Sequence, residues 1–148
     1  MAKFTKKKAN FQTFESTKTN DKYFRIADSM FTSIPWKLSS IYAHEVYLHM
    51  KHKYNTSVSK GVKSKDNISL TYTEIKAVMN SRTFTKAIDE LIEYGFIELN
   101  ILGRFSRTCN IYGFSDMWRF YGDENFKIVR RPPRLDKGKK KEDKLKVV

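Results

Sequence analysis

The feature that most constrains the fold is a change of hydrophobic period at Gly95. Before it, Phe84, Ala87, Ile88, Leu91 and Ile92 recur at three- and four-residue spacing, the signature of one buried helical face. After it, Phe96-Ile-Glu-Leu-Asn100 reads as an extended strand. Glycine enters the left-handed conformation without steric cost, so Gly95 ends the helix as its C-cap.

The flanking segments extend this pattern. Gly103-Arg-Phe-Ser-Arg107 is a glycine-containing connection, and Thr108-Cys-Asn-Ile-Tyr-Gly-Phe114 is a second strand, which makes a hairpin and gives Cys109 a small buried apolar role. Upstream, Asn80-Ser81 breaks the pattern and Ser81 is the expected cap of the helix that follows. Thr71 and Glu74 stand at capping-box spacing ahead of a short helix, Tyr72 to Met79, and Ile68-Ser-Leu70 runs into it as a short extended piece. From Lys37 to Lys53, Leu38, Ile41, Tyr42, Val46 and Met50 form one buried stripe, with Pro35 marking the start of that helix. Ser57 to Asn67, rich in Ser and Asn with one Gly, is expected to be an exposed, mobile loop. Ser115 can cap a short final helix that lays Met117, Trp118 or Tyr121 on the core. The order is helix, strand, helix, helix, strand, strand, helix, an α+β chain in which a helix-turn-helix is followed directly by a hairpin.

A chain of 148 residues allows one domain with tails, and 40% hydrophobic with 14% aromatic residues suffices for one core. Twenty-nine Lys and Arg against sixteen Asp and Glu give a formal charge of +13, which favours a polyanionic partner, nucleic acid before an anionic membrane surface. The excess is not spread evenly. Residues 1–25 hold seven basic and two acidic side chains, residues 127–148 ten and three, and residues 26–126 twelve and eleven. The ends therefore suit flexible basic arms, and the near-neutral centre must supply specificity. The organisation expected is a basic N-terminal arm at 1–30, a folded domain at 31–121 and a basic disordered tail at 122–148. Cys109 is the single cysteine, which excludes an internal disulfide and any Cys-pair zinc site and fits a reducing, cytoplasmic setting. No stretch approaches the ~18 apolar residues of a membrane helix, and no apolar run follows the basic start, so neither membrane nor secretion is expected.

Ser69-Leu-Thr-Tyr-Thr-Glu-Ile75, Thr83 to Ile97 with its ending Leu-Ile-Glu-Tyr-Gly-Phe-Ile, and Asn110 to Trp118 together resemble winged helix-turn-helix DNA-binding proteins of plasmids, phages and conjugative elements. The resemblance spans about residues 31–121 and implies a three-helix core with a β-hairpin wing, an additional C-terminal helix, and a third helix that enters the major groove. Carried onto this chain, the residues left exposed by the apolar stripe are Arg82, Thr83, Thr85, Lys86 and Asp89. Arg82 and Lys86, four apart, project on one side, where Arg-to-guanine contact is the commonest specific one. Arg104 and Arg107 make a basic wing tip around Phe105 and Ser106, suited to phosphates or a narrow minor groove. Arg130 and Arg131 belong to the tail, which adds salt-dependent affinity without base readout. Phe84, Phe96, Tyr112 and Trp118 fall at core spacing and are expected to pack rather than stack on bases.

Enzyme patterns fail on spacing. His44 and His49 are five apart where a zinc-protease helix needs four, and Glu45, His49 and His52, although on one face, more often form a solvated surface than a metal site. The histidine pair that tyrosine nickases use is missing, and so are a glycine-rich phosphate loop and a Gly-x-Ser-x-Gly elbow. The expected function is therefore that of a non-enzyme without cofactor or small-molecule substrate. It would be a sequence-specific double-stranded DNA-binding homodimer that marks an origin or control site of a mobile element for replication, partition or transfer machinery. The first helix and Met117 to Tyr121 are its expected dimer contacts. A transcriptional repressor with the same contacts, a non-specific RNA-binding protein led by its tails, and an interaction module for an acidic protein are the alternatives.

Overall fold

Ser33 and Pro35 decide how the chain enters its first long helix. Ser33 Oγ accepts the Trp36 N–H at 3.4 Å and donates to the Met30 carbonyl at 2.6 Å, while Pro35 occupies a first-turn site where no amide donor is needed. Two short helices result, α1 (Asp28–Phe31) and α2 (Ile34–Leu38). Ser39 then turns to ψ 150°, and α3 (Ile41–Ser59) starts afresh. In this computed structural model, which describes Ser16 and residues 21–59, 64–104 and 106–133, the single helix expected from Lys37 to Lys53 is thus two.

The break resets the helical phase. Ala43, Val46, Tyr47 and Met50 form the buried face of α3, whereas Leu38, Ile41 and Tyr42, expected in the same stripe as Val46 and Met50, are exposed. His44 ties the two helices: its Nε2 lies 2.8 Å from both Ser39 Oγ and the Trp36 carbonyl, and its ring stacks on Trp36 at 4.1 Å. The helix also runs on through Ser57–Ser59, residues expected in a loop; residues 60–63 of that loop lie outside the described residues.

The second helical pair is short and then long. At α4 (Tyr72–Ile75) the Glu74 carboxylate accepts the Thr71 N–H at 2.8 Å and the Thr71 hydroxyl at 3.0 Å, the capping box expected from the sequence. The α-helix ends at Ile75 and the chain continues through hydrogen-bonded turns to Met79, whose N–H donates to the Ile75 carbonyl at 3.3 Å, so this helix is shorter than Tyr72 to Met79. Helix α5 (Ser81–Glu93) is capped by Asn80, whose side chain accepts the Thr83 N–H at 2.9 Å, and not by Ser81, which is the first helical residue. Its stripe is as expected: Phe84, Ala87, Ile88, Leu91 and Ile92 are all buried, packed against α3. Glu90 adds a polar tie, its carboxylate accepting the Ser40 N–H at 2.8 Å at the start of α3.

Gly95, at φ 80°, ends α5 and turns the chain into β1 (Ile97–Ile101). A Cβ there would also meet Trp118 N at 2.7 Å, because the Trp118 N–H donates to the Gly95 carbonyl at 3.1 Å. Strand β2 (Ile111–Phe114) pairs antiparallel with β1, Ile97 opposite Phe114 and Leu99 opposite Tyr112, with a bulge at Asn100. Cys109 therefore precedes the strand and is exposed, contrary to its expected buried place, because residues 103–108 close a loop of their own. The expected strand Ile68 to Leu70 contracts to one bridge, Ile68 with Tyr112. A 3₁₀ helix (Met117–Phe120) stands where the last helix was expected, Ser115 Oγ accepting the Met117 N–H at 3.2 Å. The result is α+β, five α-helices and one antiparallel hairpin among the described residues, an order compatible with a winged helix.

Both expected boundaries shift. Met30 is buried, Ile26 packs on the core and Asn55 donates to the Tyr23 carbonyl at 3.0 Å, so the fold reaches back into residues assigned to the arm. Residues 127–133 run back along α5 instead of leaving the domain, as described below. No helix among the described residues is long and apolar enough to cross a membrane.

Lys53 Nζ sits 2.6 Å from Glu74 and pins α4 to α3. Burial pushes the Glu74 carboxyl up, but the hydrogen bonds from Lys53 and Thr71 outweigh it and hold it below the ordinary value of 4.5. A carboxyl depressed in the folded state stabilises the fold above its unfolded pKa, and that contribution is lost as pH falls through the folded value. The stability difference between the wild type and Glu74→Gln, measured by urea unfolding, should therefore be present at neutral pH and vanish at acid pH below 4.5.

Candidate nucleic-acid interface

Helix α5 presents its outward face as two halves of opposite charge. Burial of the stripe from Phe84 to Ile92 forces Arg82, Lys86, Asp89 and Glu93, spaced three and four apart, onto the solvent side. Arg82 and Lys86 occupy the N-terminal half, and neither pairs with a carboxylate among the described residues. Thr83 and Thr85 flank them, half-buried. Asp89 and Glu93 occupy the C-terminal half, like charges one turn apart that repel.

The chain answers that repulsion itself. After the 3₁₀ helix, a turn with Gly122 at φ 85° and the ring contacts Tyr94–Tyr121 at 5.6 Å and Tyr121–Phe126 at 5.5 Å reverse its direction. Residues 127–133 then pass antiparallel along α5. Arg130 meets Glu93 at 3.3 Å. Arg131 donates to Asp89 Oδ1 from Nε at 3.0 Å and pairs with it through its terminal nitrogen at 2.8 Å, with a longer contact to the Thr85 carbonyl at 3.5 Å. The Arg131 side chain is only 16% exposed, against 77% for Arg130, so the Asp89 pair is the better shielded of the two. Pro132 and Pro133 fix an extended backbone with no amide donors, and the Pro133 carbonyl lies 3.5 Å from Arg104 of the hairpin.

Between α5, the hairpin base and this strap lies a cleft of about 770 Å³. Phe84, Leu102 and Tyr112 supply its apolar wall, and Thr85, Arg104 and Arg131 its polar rim. Asn110 fixes the hairpin base: its Oδ1 accepts the Gly103 N–H at 2.9 Å and its Nδ2 donates to the Tyr112 hydroxyl at 3.1 Å. The loop beyond is closed by the Thr108 N–H donating to the Gly103 carbonyl at 3.0 Å, and Arg107 at its tip adopts φ 55°, left-handed geometry uncommon for a side chain of this size. Phe105 lies outside the described residues.

The expected site residues thus separate into three groups. Arg82, Thr83 and Lys86 stand on the first turns of α5; Arg107 stands on the hairpin tip; Thr85, Arg104, Arg130 and Arg131 meet around the cleft. Arg131, largely shielded, and Arg130, largely exposed, both pair with acidic side chains of α5. The sequence held a signal for this: two carboxylates one turn apart on the exposed side of α5, and an Arg-Arg-Pro-Pro segment able to neutralise them. Lys76, exposed in the turn between α4 and α5, is a further cation near the start of α5. Glu45 and His49 pair at 3.2 Å on α3, and the described residues contain no group of three or more His, Cys, Asp or Glu placed to hold a metal.

Comparison with protein-family models, with curated proteins and with solved structures finds no match to this chain.

The Gly103 backbone packs against the Thr108 carbonyl, so a Cβ there would overlap it. Gly103→Ala should open the hairpin loop while sparing the helices. Amide shifts of residues 103–110 should move in an NMR spectrum, with those of α3 and α5 unchanged.

Proposed function

We propose that this chain is a winged-helix protein that binds double-stranded DNA, with α5 in the major groove and the hairpin as the wing. The observation that carries this reading is the charge arrangement on α5: its acidic half is paired from within by Arg130 and Arg131, and its basic half, Arg82 and Lys86, meets no carboxylate among the described residues. A polyanion approaching this face meets these two cations at the N-terminal end of a recognition helix, where base edges are contacted in helix-turn-helix proteins. Arg104 and Arg107 flank that face from the hairpin and supply backbone or minor-groove contacts.

In this reading the chain is a binding protein and not an enzyme. Its resemblance to plasmid and phage DNA-binding proteins supports a role in marking an origin or control site of a mobile element, where it positions other machinery. A repressor would use the same contacts, and the position of the binding site separates the two: repeat arrays for an origin, a single palindrome over a promoter for repression.

Selection from a random duplex library at about 150 mM salt tests the reading. An enriched motif is expected, and Arg82→Ala should cost about 1–3 kcal/mol on it and relax the preference at one position. Equal loss on all sequences would remove Arg82 from base readout, and retention of every duplex without enrichment would transfer binding to the basic ends.

Arg131 has a different expected effect. Removing it exposes the Asp89 carboxylate on the DNA-facing side, so Arg131→Ala should weaken binding about tenfold, ~1.4 kcal/mol. Adding Asp89→Asn to that variant should restore affinity, measured by fluorescence anisotropy. Failure to restore it would mean that Arg131 itself contacts DNA.

A further inference from the structure

The cleft between α5, the hairpin base and the strap has the size of a small-molecule site, about 770 Å³ against the ~300–1,000 Å³ of ordinary ligand pockets. Three aromatic rings line it. Phe84 of α5 lies 6.4 Å from Tyr72 of α4, and Tyr112 lines the cleft from β2. Leu102 of the hairpin and Pro132 and Pro133 of the strap add further apolar surface. A flat aromatic body suits such walls, because rings gain from offset or edge contacts with other rings beyond the burial of their area.

The charges around the cleft leave one without a counterpart. Arg104, Arg130 and Arg131 line it against Asp89 and Glu93, an excess of one positive charge. Both carboxylates are paired, Asp89 with Arg131 and Glu93 with Arg130, whereas Arg104 forms no ion pair among the described residues and meets there the neutral Pro133 carbonyl at 3.5 Å. A single carboxylate supplies what Arg104 lacks, since guanidinium and carboxylate form strong charge-assisted hydrogen bonds. Tyr112 adds a donor. Its side chain is 3% exposed, its hydroxyl accepts from Asn110 Nδ2 at 3.1 Å, and no acceptor for its own proton stands among the described residues. Burial pushes this phenol above its ordinary 10.0, the Asn110 hydrogen bond and the Arg131 charge offsetting only part of the rise, so it keeps that proton at neutral pH. The charges of Arg131 and Asp89 both act on the phenol, and both residues line the cleft, which places the hydroxyl on the cleft side of the ring. A buried donor without an acceptor costs free energy that a ligand oxygen recovers.

We infer that this cleft binds a small aromatic monoanion, its ring against Tyr72, Phe84 and Leu102, its acidic group on Arg104, and one of its oxygens accepting from the Tyr112 hydroxyl. The inference does not depend on DNA binding. A phosphate of a nucleic-acid backbone carries the same single charge but brings no flat apolar body to the aromatic walls. Nothing in the sequence marks the site, because its walls come from α4, α5, the hairpin and the strap, segments far apart along the chain. Cys109, the single cysteine, is exposed at the same cleft and serves as a reporter of occupancy.

NMR titration of the full chain with 2-naphthoate tests this. Saturable amide shifts are expected at Phe84, Thr85, Leu102, Arg104 and Asn110, with a Kd on the order of 1 mM, as ordinary ligand efficiency gives for an acid of this size. Arg104→Gln, at an exposed position, and replacement of the probe by neutral 2-naphthamide should each weaken binding about tenfold. Tyr112→Phe, which keeps the ring, should weaken it about threefold. Bound 2-naphthoate should also slow the alkylation of Cys109 by iodoacetamide in proportion to occupancy. Absence of a saturable shift at about 10 mM overturns the inference, as does equal affinity for 2-naphthamide or for the Arg104→Gln variant. Equal shifts from inorganic phosphate would overturn it by assigning Arg104 to a simple anion. Shifts confined to Phe31, Ile34 and Ile41 would do so by showing adsorption on exposed apolar side chains.

Discussion

Burial of one face of α5 against α3 is the constraint on which the rest depends. Leu91 and Ile88 on one side and Val46 and Met50 on the other are almost wholly withdrawn from water, and Glu90 fixes the relation of the two helices through the Ser40 amide. Once that stripe is inside, the rotation of α5 is set, and Arg82, Lys86, Asp89 and Glu93 have one direction left. The hairpin follows from the same helix, because Gly95 ends it in the left-handed conformation and hands the chain to β1 beside the core.

The outward face carries a cost in this arrangement. Two carboxylates one turn apart at the C-terminal half of α5 repel each other and would repel a polyanion. The segment 127–133 removes both problems, its arginines meeting the carboxylates and its prolines keeping it extended along the helix. What looks by composition like a free basic tail is, over these residues, part of the surface it lies on. The charge on α5 is thereby sorted: paired over the C-terminal half, and without a carboxylate partner among the described residues over the N-terminal half.

Features governed by local physics were readable from the sequence, and those governed by distant contacts were not. The α5 stripe, the Thr71–Glu74 box and the turn at Gly95 depend on residues within one or two turns of one another, and the structure has them as expected. The helix from Lys37 failed because its pattern spans a break: Ser39 goes extended while its hydroxyl and the His44 ring satisfy the Trp36 carbonyl, a local choice that periodicity alone does not register. Cys109 failed because Asn110 draws the chain into a closed loop before β2 begins. The pairs of Arg130 and Arg131 join residues about forty positions apart, and no spacing rule reaches that far. On α5 the sequence located Arg82, Thr83 and Lys86 on the outward face; it did not distinguish them from cations already engaged elsewhere.

The proposed DNA-facing surface joins the N-terminal half of α5 to the hairpin loop. NMR titration of the full chain with a duplex measures this directly, residue by residue. Amide perturbations are expected to concentrate at residues 81–86 and 103–108, with Ile41 at the start of α3 unmoved. Perturbations confined to the basic ends, with α5 and the hairpin silent at saturation, would contradict it.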